Sequence, residues 1–147
     1  MFSRFILPAI SLLFLSCGHS LEPPAIVDIE PPEGTEITVG STITIEFSQP
    51  VFPIKDNYGT ALFYNYNGPV EVLYNYDSFE ATYTYMVSNY DIKTNILSLT
   101  FSDANLTPPS KIGLEIDHTK IVNRKGLLLD ISGKSNESKL ILRYTLK

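Results

Sequence analysis

Residues 41–47 read STITIEF, and their strict alternation limits the fold before anything else in the chain does. Successive side chains of an extended backbone point to opposite faces, so Ile43, Ile45 and Phe47 share one face and Thr42, Thr44 and Glu46 the other. The same period returns at 25–30 (Ala25, Val27, Ile29 against Asp28 and Glu30), 96–101 (Leu97, Leu99, Phe101), 111–116 (Ile112, Leu114, Ile116) and 140–146 (Leu140, Leu142, Tyr144, Leu146). Three further β-type runs fill the middle, 61–66, 70–76 and 81–87. Punctuation falls between them. Pro31-Pro32-Glu33-Gly34 ends the first run, Pro50 and Pro53 break the ladder after the second, and Asn67-Gly68-Pro69 reads as the closure of a hairpin. No run of ten or more residues repeats at helical spacing. The expectation is an all-β, antiparallel β-sandwich of about seven to nine strands.

Tyrosine is the one residue type arranged above background. The chain has nine and no tryptophan, and six of them fall at i,i+2: Tyr64/Tyr66, Tyr74/Tyr76 and Tyr83/Tyr85. Each pair shares a strand face with apolar residues: Leu62, then Val70 and Val72, then Ala81 and Val87. In a hairpin closing through Asn67-Gly68-Pro69, Tyr64 and Tyr66 lie across from Val72 and Val70. That alternation of large and small suits a core face whose hydroxyls reach water at the rim. The same face also suits an aromatic platform for a glycan or protein ligand, because tyrosine offers large contact area at low entropy cost. The candidate ligand-binding residues are those nearest the strand ends, Tyr66, Tyr76 and Tyr85.

The N-terminus is of another kind. Arg4 precedes an apolar stretch at 5–15 broken only by Pro8 and Ser11, and Ser16 stands before Cys17, the only cysteine. Eleven residues are too few to cross a hydrocarbon core of about 30 Å, which takes roughly 20 as a helix. The length and flanks are those of a secretory leader. Phe14-Leu15-Ser16-Cys17 resembles the lipobox of bacterial lipoproteins, with Phe14 and Leu15 where the strict pattern has leucine and then a small residue. The resemblance implies cleavage after Ser16 and a diacylglycerol on Cys17. A lone free thiol also suits an exported protein poorly, and lipidation consumes it. The alternative is an ordinary leader cut nearby. The organisation expected is a signal peptide at 1–16, a tether at 17–24 and one domain at 25–147.

Charge and chemistry exclude several classes. Without Arg4 the mature chain carries sixteen acids against ten bases, a net of −6, which argues against nucleic acid as a partner. From Cys17 to Ile54 there are six acids and no base, while from Lys111 to Lys147 there are eight bases and four acids. Early and late strands lying side by side would pair these charges; a basic partner-binding patch is the other reading. No G-x-S-x-G, phosphate-cradling glycine loop or H-E-x-x-H is present. His19 falls in the tether, and His118 follows Asp117 along one strand, where neighbours face opposite ways. Asp56-Asn57 and Asp103-Ala104-Asn105 lack calcium-loop spacing and read as Asx turns. The chain is expected to be non-enzymatic, with no catalytic residue, no metal and no cofactor.

Pro31-Pro32-Glu33-Gly34, followed by Ile43-x-Ile45-x-Phe47-Ser48-Gln49-Pro50-Val51, resembles the opening of bacterial Ig-like domains of the S-layer-protein type. The stretch from Ile116 to Gly126 is similar to that family's last corner, with Asn123 where the pattern usually has aspartate and Leu127 after Gly126. The resemblance implies an Ig-like β-sandwich serving as spacer, adhesive module or ligand-binding module of an envelope protein. Function is therefore expected to be that of a lipoprotein anchored in the bacterial cell envelope, at the outer membrane or cell surface, with an adhesive or scaffolding module. Its partners are the membrane, through the lipid, and a protein or glycan ligand. The alternative is a periplasm-facing small-ligand carrier or enzyme-accessory lipoprotein using the tyrosine-rich face.

Overall fold

The computed structural model describes residues 21–55, 59, 61–64, 68–74, 80–81, 86–101, 110–135 and 139–147. In chain order the strands are β1 (Ile26–Glu30), β2 (Glu36–Ile37), β3 (Thr42–Phe47), β4 (Val51–Pro53), β5 (Val70–Tyr74), β6 (Glu80–Ala81), β7 (Met86–Asp91), β8 (Ile96–Phe101), β9 (Ser110–Asp117), β10 (Ile121–Asn123) and β11 (Lys139–Leu146). Helix among the described residues is confined to the 3-10 turn His118–Lys120, and none there is long and apolar enough to cross a membrane. One sheet runs β1-β3-β8-β7, the other β2-β11-β9-β5-β6, and β4 and β10 form a separate two-stranded ribbon. Immunoglobulin-type sandwiches order their sheets A-B-E-D against C-F-G. Here β1-β3-β8-β7 and β5-β9-β11 reproduce that order.

Register follows burial. β3 pairs with β8 so that Ile43 meets Leu99 and Ile45 meets Leu97, and all four are fully buried. A slip of one residue would turn every one of them to water. On the outer face of the same pair the Thr42 and Thr100 hydroxyls hydrogen-bond at 2.7 Å. In the second sheet Leu114 lies between Val72 and Leu142, and Ile116 between Val70 and Leu140. The inner faces of both sheets merge into one apolar cluster. β5 and β9 set Glu71 opposite Glu115, a like-charge pair, and Lys139 from β11 donates to Glu115. That bond, then the Glu115, Asp117 and Glu71 charges, hold the Lys139 ammonium pKa above its usual value against the opposing effect of burial.

The early acids and late bases do meet. β2 runs parallel to β11, with Glu36 ion-paired to Lys147 and Glu33 to Arg143 at 3.5 Å. The turn before β2 is pinned there by Gly34, whose N–H donates to the Arg143 carbonyl at 2.7 Å with φ at +87°, a conformation that favours glycine. Tyr144 closes the same corner. Its ring is buried, its hydroxyl donates to the Pro31 carbonyl at 2.9 Å, and burial, then the Glu33 and Glu30 charges, push its pKa up to about 12.

Several expected strands are corrected. β1 keeps its place, but a bulge between Ile26 and Asp28 breaks the alternation: Ile26 is buried and Val27 is 58% exposed. The 61–66 run is not a strand across its described part, which has only the bridge at Tyr64, and Phe63 turns inward while Leu62 is 54% exposed. Tyr64 meets Val70, not Val72, in an isolated bridge, and β5 pairs with β9 and β6 in place of the expected hairpin. The 81–87 run divides between sheets: Ala81 belongs to β6 and Met86 opens β7. Met86 is buried and Val87 is 59% exposed, so the inner parity is the reverse of the one expected. The prolines around Val51 do not abolish pairing, since β4 finds β10 as partner.

Candidate functional site

Cys17, Tyr66, Tyr76 and Tyr85 all lie outside the described residues, as do Tyr83, His19, Asp56-Asn57 and Asp103-Ala104-Asn105. The described flanks of two of the tyrosines fall at opposite ends of β5. Pro69 accepts from the Asp117 N–H at 2.8 Å, whereas Tyr74, beyond which Tyr76 follows, pairs with Ile112. Tyr64 packs half-buried against the core, where burial and then the Glu71 charge raise its phenol.

What the structure assembles is the place where the chain arrives from its N-terminus. Glu22 and Pro24, in the stretch expected to be tether, are already bound to the domain. The Glu22 carbonyl accepts from Gln49 Nε2 at 2.9 Å and Asn123 Nδ2 at 3.4 Å, and the Pro24 carbonyl from the Asp130 N–H at 2.8 Å. The Ala25 N–H donates to the Ser48 hydroxyl at 2.9 Å. The backbone is thus hydrogen-bonded to the domain from Glu22 onward.

Asn123 is the centre of this junction, only 4% exposed. Its Oδ1 accepts from the Lys125 and Leu127 N–H groups at 2.9 and 3.0 Å, and its Nδ2 donates to Gln49 Oε1 at 3.0 Å as well as to Glu22. Both lone pairs and both amide hydrogens are used. Gly126 completes the turn at φ +78°, its N–H donating to the Asn123 carbonyl at 3.0 Å. The arrangement requires an amide at this position, a group that donates as well as accepts. A carboxylate would serve the two N–H groups and face two acceptors, Gln49 Oε1 and the Glu22 carbonyl, with nothing to donate. Asn123→Asp is expected to destabilise the domain by about 2–3 kcal/mol. A urea unfolding midpoint unchanged from wild type would show that the network holds nothing.

Beside the junction, Tyr90 from β7 packs tilted against Phe63 with ring centroids 4.9 Å apart and meets Phe47 edge-on at 6.3 Å, while its hydroxyl accepts from the Val51 N–H at 2.9 Å. Burial raises its phenol pKa, and that N–H partly offsets the rise. Tyr90 and Tyr144 are structural pins outside the i,i+2 pairs. Tyr144 was visible in its run, whereas the run holding Tyr90 was cut short at Val87.

Asp117 and His118 have separate partners and form no dyad. Burial pushes the Asp117 carboxyl up, but the Thr119 hydroxyl and N–H, at 2.5 and 3.0 Å, with Lys120 and Lys139 nearby, hold it below its usual value. His118 is half-buried, with Nδ1 3.1 Å from the Leu129 carbonyl. Among the described residues no group of three His, Cys, Asp or Glu is placed to hold a metal. No protein-family model matches the chain, and no characterised protein matches it at a significant level.

Proposed function

We propose that this chain is a lipid-anchored protein of the bacterial cell envelope, whose Ig-like β-sandwich is a non-catalytic interaction or structural module of adhesive or scaffolding kind. The observation that carries the reading is the junction at Glu22. A leader ending in the lipobox-like Phe14-Leu15-Ser16-Cys17 is followed, five residues past the cysteine, by a backbone already hydrogen-bonded into a β-sandwich. Two acyl chains on Cys17, each contributing about 0.8 kcal/mol per buried CH₂, hold such a domain stably at a bilayer.

The engagement of Asp117 and His118 in turn and carbonyl contacts supports a non-catalytic module. The immunoglobulin-type strand order supports the likeness to bacterial Ig-like domains of the S-layer type, in which such modules are spacers or adhesive units. A protein or glycan ligand is the partner of the adhesive form, and Tyr66, Tyr76 and Tyr85 are its candidate contacts. The negative mature chain argues against nucleic acid.

Cell-surface exposure is the test. Intact cells treated with a membrane-impermeant amine label or with protease should show the protein labelled or degraded before the outer membrane is opened. Protection until permeabilisation would remove the adhesive reading and leave the periplasm-facing carrier.

A further inference from the structure

Among the described residues the β4–β10 ribbon is a two-stranded sheet of its own, and its outer face sets apolar side chains beside cations. In β10, Ile121 and Asn123 are buried and Val122 alternates onto the other side, while Lys120 ends the 3-10 turn just before the strand and the exposed Arg124 follows it. In β4, Val51 is buried and Phe52 faces out, directly across from Val122. The ladder continues one step further, the Ile54 N–H donating to the Lys120 carbonyl at 2.8 Å. Leu128 bridges Val122 from the opposite side. Phe52, Val122 and Leu128 therefore form a row across three chain segments, with Ile54 beside it, and none of the four is buried; Ile54 and Leu128 are 44% and 42% exposed. Lys120 and Arg124 flank the row, Lys120 at 3.7 Å from Asp117.

The chain outside the described residues says what this face meets. Glu22 is hydrogen-bonded to Asn123, the last residue of β10, so the ribbon sits at the end of the sandwich where the anchor arrives. With Glu22 five positions past Cys17, the acyl chains attach within about 17 Å of it. We infer that the β4–β10 ribbon is a membrane-contact surface, seated on the anionic phospholipid headgroups of the bilayer that holds the anchor, with Phe52, Val122 and Leu128 at the acyl boundary and Lys120 and Arg124 at the phosphates. This rests on the lipid-anchor reading and extends it to the orientation of the domain.

Apolar area combined with cations is the composition that interfacial segments use, and anchoring makes even a weak second contact effectively intramolecular. The rest of the mature domain, net negative, is repelled by an anionic surface, so the cation-flanked ribbon decides which end lies down. Val87 marks the other end. It pairs with Thr100, which pairs with Thr42 at the start of β3, whereas the ribbon follows the last residue of β3, Phe47.

The chain has no tryptophan, so a single introduced one reports its own depth. The full-length protein, produced lipidated, is reconstituted as Phe52→Trp, Leu128→Trp and Val87→Trp in vesicles of phosphatidylcholine, part of it brominated, with about one-third phosphatidylglycerol. At the first two positions emission should shift to the blue and be quenched by bromine about twofold or more beyond that at Val87→Trp, the excess falling when phosphatidylglycerol is omitted. Equal quenching at all three positions overturns the proposal, as does a blue shift without bromine quenching, which would mean that protein covers the ribbon. Intact mass on the same samples separates the two readings. Missing acyl mass defeats the anchor and this inference with it, whereas equal quenching on acylated protein defeats the ribbon alone.

Discussion

Phe47→Ala is expected to lower the unfolding free energy of the domain by about 3–5 kcal/mol, the range for removing a fully buried aromatic ring. Phe47 is the last residue of β3 and is 1% exposed. Its ring lies 6.5 Å from Phe63 and 6.3 Å from Tyr90, so it joins β3 to β7 and to the segment after β4. Tyr90 cannot collapse freely into the void, because it is held at its hydroxyl by the Val51 N–H. Against a usual total of about 5–15 kcal/mol, the loss removes a large fraction of the stability. Denaturant unfolding of residues 18–147, followed by far-UV circular dichroism with a β-dominated spectrum, measures it. Phe52→Ala, on the outer face of β4, is the control and should cost about 1 kcal/mol or less. Equal effects at the two positions would contradict the inward assignment of Phe47.

Cys17→Ala is expected to abolish partitioning into the detergent phase, or to leave an unprocessed precursor, since without the thiol no diacylglycerol is transferred. On the proposed lipid-anchor reading the effect should be close to complete, because two acyl chains would supply most of the affinity and the ribbon contact by itself would be weak. A correctly cleaved Cys17→Ala protein that still partitions with detergent would end the lipoprotein reading. Loss of partitioning with the fold intact is the specific result.

How far the chain could be read in advance depended on how local each feature is. β3, β8, β9 and β11 were legible from spacing alone, since each is six or eight residues long and packs an unbroken inner face. The attraction between early acids and late bases was legible from composition, and the Glu36–Lys147 and Glu33–Arg143 pairs are where it lands. β2, β4 and β10 were missed. At two or three residues they carry no period, and each exists because a partner far along the chain supplies its hydrogen bonds.

The tyrosine face shows the same division. Counting by twos from Leu62 or Ala81 assigns inner and outer sides correctly only while the strand stays unbroken in one sheet. Phe63 and Met86 turned inward, against that count, because the first run is not a strand and the second changes sheets.

What the sequence by itself determined is the class of fold and the place of its longest strands. Side-chain alternation, turn residues and apolar length are properties of a few adjacent residues. Which strands pair, which face survives a bulge, and why Asn123 is an amide were decided only by the tertiary structure. Each depends on groups brought together from distant parts of the chain, as when Glu22, Gln49 and Asn123 meet across 101 positions of sequence. A buried polar group must satisfy its hydrogen bonds wherever the fold provides partners, and no local pattern specifies where that will be.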